Sequence, residues 1–137
     1  MSPLDHTRNQ TQLVFCRENV DPDFVTRLLG LSPSEALKVG DPTKIWNGPE
    51  APSQMGVWKL DLPEVRESDT IEEQLSRWVD LLQPRAAALA SLRDAGYAPY
   101  IDCKAERGSL SLCIEPTLLS ALGQVSVSLS IWLYEAP

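Results

Sequence analysis

The side chains able to do chemistry are few, and their spacing removes most reaction types before any fold is considered. His6 is the only histidine among 137 residues, so neither a Ser-His-Asp triad nor a multi-histidine metal centre can be assembled. Cys16, Cys103 and Cys113 are odd in number and form no CxxC pair, which argues against a disulfide framework or a zinc knuckle and for buried free thiols. A Cys103–Cys113 bridge across a turn near Gly108 is conceivable in geometry, but it requires an oxidising compartment. Lys38 to Thr43 contains Gly, Lys and Thr without the GxxxxGK[ST] spacing that cradles phosphate. Asp21, Asp41, Asp61, Asp69, Glu72 and Glu73 fall where caps, turns and solvated faces need them, not as a carboxylate pair for acid–base work. Ser109, Ser111, Ser126, Ser128 and Ser130 lie in no GxSxG elbow and have no histidine base to activate them. No catalytic residue, metal site or cofactor is therefore expected.

Two groups of residues remain that recognise rather than react. The first is near the carboxyl end, where Val125, Val127, Leu129, Ile131 and Leu133 alternate with Ser126, Ser128, Ser130, Trp132 and Tyr134. Period-two alternation predicts a strand whose aliphatic row is buried. The hydroxyls and rings then line the opposite side, and an exposed large aromatic there is a typical interface anchor. The second group is Lys44, Trp46 and Trp58, expected to line a cleft under the Gly- and Pro-rich stretch 38–56, which reads as one long loop.

The elements that must carry these groups are marked by local signals. Leu13 to Cys16 predicts a buried strand running into Asp21-Pro22, an N-cap followed by proline at the first helical position. Phe24, Val25, Leu28 and Leu29 make one apolar stripe, and Gly30 ends that helix. Val57 to Leu62 alternates as a half-buried strand. Thr70 with Glu73 forms a capping box at the head of a long helix bearing Ile71, Leu75, Trp78, Val79 and Leu82. Pro84 predicts a kink or a junction of two helices, and Gly96 a stop. Strands are expected over about 99–106 and 109–115, joined by a hairpin at Arg107-Gly108, then a short helix holding Leu118, Leu119 and Leu122 and ending at Gly123. The segments Leu13–Leu62 and Leu110–Tyr134 share an order of strand, acidic residue plus proline, Leu-rich helix, glycine, and strand with tryptophan. That order predicts an α+β fold, a mainly antiparallel sheet of about five strands with helices on one face and a ferredoxin-like pseudo-duplication. Residues 1–12 read as a polar leader before a single domain over 13–137.

Composition bounds the partners. Nineteen acidic against 12 basic residues leave a net charge of −7, a field that repels nucleic acid and anionic lipid and attracts a basic protein. The longest apolar stretches are strand-sized, far from the roughly 20 residues that cross a bilayer, so no membrane span is expected. The start of the chain lacks the basic and apolar parts of a secretory signal, which makes the cytoplasm the expected compartment.

In order and spacing the chain resembles the bacterial domain of unknown function 4279 family. The residues that carry the resemblance are Asp21-Pro22, Leu28-Leu29-Gly30-Leu31, Pro33, Lys38, Gly40-Asp41-Pro42 and Gly56-x-Trp58-x-Leu60. They continue through Leu81-Leu82-x-Pro84, Leu89, Gly96-Tyr97, Cys103, Leu110-Ser111-Leu112, Leu118-Leu119 and the last alternating strand. Trp46 to Gln54 departs from the pattern. The resemblance implies no established catalytic residue. Three readings of function stand at this point: a non-catalytic module binding a basic protein, of regulatory or immunity type; a small-molecule or enzymatic domain using the cleft under 38–56; and a structural homodimer formed through the last strand.

Overall fold

A computed structural model of the chain describes residues 9–44, 48–106 and 112–134. Among the described residues the elements follow the order β1 (Asn9–Arg17), α1 (Pro22–Leu29), β2 (Glu35–Leu37), β3 (Pro42–Lys44), β4 (Glu50–Pro52), β5 (Gly56–Asp61), α2 (Ile71–Leu82), α3 (Ala86–Asp94), β6 (Tyr100–Glu106), α4 (Pro116–Gln124) and β7 (Ser128–Tyr134). The main sheet has five strands in the order β2-β5-β1-β6-β7. Every pairing in it is antiparallel except β6 with β7, which is parallel. The protein is an α+β domain with a mostly antiparallel sheet, as expected.

Helix boundaries fall where the local chemistry puts them. The Asp21 carboxylate accepts from the Asp23 amide at 3.1 Å, Pro22 opens α1, and Gly30 closes it in the left-handed region at φ 70°, where a side chain would be strained. Thr70 and Glu73 exchange both bonds of the capping box. Pro84 produces a 3-10 turn over Gln83–Arg85 that joins α2 to α3, because a proline ring cannot fit within an unbroken α-helix.

The core lies between the helices and one sheet face. Thr11, Leu13 and Phe15 of β1, Trp58 and Leu60 of β5, and Ile101, Cys103 and Ala105 of β6 are all buried there. Val25 and Leu29 of α1, Leu75, Trp78 and Leu82 of α2, Leu89 and Leu92 of α3 and Leu122 of α4 join the same apolar cluster. Phe15 meets Trp58 edge-on, ring centroids 5.6 Å apart. The Trp58 indole donates to the Thr26 hydroxyl at 3.0 Å, satisfying the one polar atom of a fully buried ring. Alternate residues therefore define a second sheet face without helices, carrying Gln10, Gln12, Val14, Lys59, Asp61, Tyr100, Asp102 and Lys104.

Several expectations are corrected. β1 begins at Asn9, so the last four residues of the expected leader belong to the sheet. Thr11 anchors them, since its buried hydroxyl bonds Gln74 and Trp78 of α2. The stretch 38–56 is not one long loop: β3 and β4 pair in a separate two-stranded sheet. Its base is tied by the Gly40 amide donating to the Ser53 carbonyl at 2.7 Å and the Ser53 amide to the Asp41 carbonyl at 2.8 Å. Of the expected strand 109–115, residues 112–115 are not a strand, and the rest, with the Arg107-Gly108 turn, lies outside the described residues. α4 runs past Gly123 to Gln124. In the first of the two similar segments β1 and β5 pair antiparallel; the second opens at residues 110 and 111, which lie outside the described residues.

All three cysteines are free, so the conceivable Cys103–Cys113 bridge does not form. Burial, then the nearby Asp102 charge, pushes the Cys103 thiol up to about 12. The folded protein therefore holds it neutral, while the unfolded chain ionises it from the ordinary value of 9.0. Stability is unaffected by this thiol below that pH and is lost as pH rises from there toward 12. Labelling at pH 8 with a thiol reagent, read by mass spectrometry, is expected to modify exposed Cys113 rapidly and Cys103 only on unfolding. Equal rates at the two positions would contradict this burial.

Candidate functional site

The helix-free face ends in a groove where β6 and β7 run side by side. Parallel pairing sets Tyr100 beside Ser128, Asp102 beside Ser130 and Lys104 beside Trp132. Paired residues share a face, so β6 supplies an aromatic, an acid and a base while β7 supplies two hydroxyls and an indole. Together with Arg17 at the end of β1 they line an open hollow of about 630 Å³, within the size range of ligand pockets, roughly 300–1,000 Å³. Trp132 stands at its rim 62% exposed.

Asp102 is the unusual member. Its side chain is only 13% exposed, and its Oδ1 is buried with no hydrogen-bond partner among the described residues. Its Oδ2 lies 4.0 Å from the Lys104 Nζ, which is itself about half exposed; that distance is too long for a hydrogen bond. A buried carboxylate oxygen without a donor is costly. The Tyr100 phenol is held above its ordinary pKa of 10.0 by burial first, then by the Cys16 and Asp102 charges. It stays protonated, a neutral donor and ring surface at physiological pH.

Of the residues expected in a partner-binding row, Ser128, Ser130 and Trp132 line this groove, and Tyr134 continues the same side of β7, exposed. Ser126 does not. It lies in the turn after α4 at φ 60°, and its hydroxyl accepts from Arg93 Nη1 of α3 at 2.9 Å. The strand starts at Ser128, three residues later than the alternation implies, because the turn after α4 takes up Val125 and Ser126. The aliphatic row is also less buried than expected. Val125 is inside, but Ile131 and Leu133 are 42% and 51% exposed, since among the described residues β7 has a neighbouring strand on one side only.

The expected cleft trio is not brought together. Trp58 is fully buried in the helix-side core, its position decided by strand parity, and it lines no cleft. Lys44 stands opposite Glu50 in the β3–β4 hairpin, and Trp46 lies outside the described residues. A hollow of about 550 Å³ does lie against the hairpin, but Leu37, Thr43, Ser53, Met55 and Val57 line it. Val57, the sequence neighbour of Trp58, points to that side.

Sequence reasoning passed over Arg17, Tyr100, Asp102 and Lys104. The alternation Tyr100, Asp102, Lys104 against Ile101, Cys103, Ala105 was the available signal. Among the described residues no cluster of three or more His, Cys, Asp or Glu side chains could hold a metal ion, and no helix is long and apolar enough to cross a membrane. His6 lies outside the described residues.

Comparison with curated proteins and with solved structures returns no match. A family model described as "Domain of unknown function (DUF4279)" matches residues 6–136, nearly the whole chain and with it every strand and helix described above. The chain belongs to the DUF4279 family.

Proposed function

We propose that this domain is a non-catalytic protein-binding module that holds a basic partner on the open face of its sheet. The observation that carries the reading is Asp102, which lines the groove together with the exposed Trp132 and whose carboxylate has one oxygen buried without a donor. That combination suits a lysine or arginine side chain, whose charged nitrogen bonds the carboxylate while its stem or guanidinium lies on an indole face. The net charge of −7 favours approach of such a partner over the local repulsion of Arg17 and Lys104. A regulatory or toxin-neutralising role is consistent with a module of this kind.

A pull-down from the source cells with the wild-type chain, Trp132→Ala and Asp102→Asn tests it. The wild type is expected to retain a basic protein at one-to-one stoichiometry, with binding weakened at least about tenfold by either substitution, as at an interface hot spot. Because Trp132 is exposed, Trp132→Ala should change folding stability by no more than about 0.5 kcal/mol. Absence of a stoichiometric partner, or equal retention by all three chains, would remove the reading.

A further inference from the structure

The two edges of the sheet are built differently. β2 is three residues long and carries Glu35, paired with Lys59 at 3.6 Å, the short charged edge by which proteins avoid pairing with other chains. β7 has no such protection. It is seven residues long, and Ser-Leu-Ser-Ile-Trp-Leu-Tyr contains no charge and no proline. Among the described residues no strand pairs with its outer side, and apolar side chains are exposed on both faces: Ile131 and Leu133 on one, Trp132 on the other.

We infer that a second copy of this chain occupies that edge, joining the two β7 strands antiparallel about a two-fold axis through Ile131. The register follows from the strand itself. Directly opposite residues in an antiparallel pair share a face, so the axis must pass through a residue, and centring it on Ile131 alone pairs the strand over its full length. Shifting it to Ser130 or Trp132 leaves two residues of each strand unpaired. In the Ile131 register Leu129 meets Leu133 and Ile131 meets itself on the helix side, while Ser130 meets Trp132 on the open side. Aliphatic side chains thus cover one another where they are now exposed. Two molecules of net charge −7 meet over a segment with no charge to repel. The result is one continuous sheet of twice the five strands.

The partner's Trp132 then stands beside Ser130 of the first copy, at the wall of the groove described above. Each groove gains an indole from the other chain. This inference concerns the edge of β7 and stands independently of what binds the open face.

Sedimentation of the full chain over about 1 to 200 µM tests it, with hydrogen exchange of the 128–134 amides at both ends of that range. The weight-average mass is expected to rise from 15.2 kDa toward twice that value, with slowed exchange at alternate amides of 128–134 as concentration rises, the mark of new ladder bonds. Ile131→Lys, which opposes two ammonium groups across the axis, should remain monomeric throughout. Its circular dichroism should match the wild type, since position 131 is exposed. Leu119→Lys, a control at an exposed position on α4, should dimerise normally. A wild type that stays monomeric overturns the inference. So does a dimer that survives Ile131→Lys, or one that forms without protecting those amides. Loss of dimer in Ile131→Lys with the basic partner still bound, or the reverse in Trp132→Ala, separates this inference from the groove reading.

Discussion

Gly56→Ala is expected to cost about 4 kcal/mol, the exceptional range for a single substitution and a large part of the roughly 5–15 kcal/mol that holds a domain together. The cause is a backbone approach. A Cβ on residue 56 would stand 1.8 Å from the Val20 carbonyl oxygen and 2.7 Å from its carbon, and neither atom can rotate away as a flexible side chain would. Gly56 pairs with Arg17 at the end of the β1–β5 ladder, while Val20 belongs to the turn that leads from β1 into α1 and is buried in the core. Relieving the clash must open the ladder or displace that turn. Arg17 at the groove would move with either. Gly123→Ala is the matched control: a Cβ there meets nothing within 4 Å, and inside α4 alanine should stabilise by roughly 0.5–1 kcal/mol. Urea midpoints of the two variants should therefore move in opposite directions. A Gly56→Ala chain within about 1 kcal/mol of wild type would show that Val20 and Gly56 do not touch as described.

Thr11→Val is expected to cost about 3 kcal/mol, although it keeps the shape of the side chain. The Thr11 hydroxyl accepts from the Trp78 indole at 2.7 Å and donates to Gln74 Oε1 at 2.8 Å. The Gln74 amide nitrogen in turn donates to the Asn9 carbonyl at 2.9 Å. Thr11, Gln74 and Trp78 are all buried. Valine leaves an indole N–H without an acceptor and an amide oxygen without its donor, each costing roughly 1–3 kcal/mol. Thr11→Ser retains both bonds and removes only a methyl group, for roughly 1 kcal/mol. At about 4 °C per kcal/mol for a chain of this size, the valine variant should melt about 12 °C lower and the serine variant about 4 °C lower. Should valine prove as stable as serine, the network contributes nothing to the fold. This is also why the polar start of β1 is a strand: Asn9 and Thr11 are held by α2, not by hydrophobic pattern.

The candidate site shows how far local reading reaches. Alternation placed Ser128, Ser130 and Trp132 on one side of a strand, and all three line the groove. It also implied that Ile131 and Leu133 would be buried, and they are exposed, because parity states which residues share a face and not whether another layer covers it. Asp102 and Lys104 look like ordinary strand charges in the sequence. They become site residues only when β7 lies parallel beside them. Trp58 illustrates the same limit from the other side: its aromatic character suggested a ligand surface, and its place in the alternation put it in the core.

The amino-acid sequence by itself determined the pieces that neighbouring residues complete: the Asp21-Pro22 entry and Gly30 exit of α1, the Thr70 and Glu73 box of α2, the break at Pro84 and the alternation of β5. Each is settled by hydrogen bonds and torsions within a few residues, so the information sits next to the element it specifies. Which strands became neighbours, and hence the parallel β6–β7 pair, the Asp102 groove and the open β7 edge, was decided only in the tertiary structure. Strand pairing satisfies backbone groups far apart in the chain, and any exposed strand offers the same donors and acceptors. The choice among partners is made by packing of the whole layer.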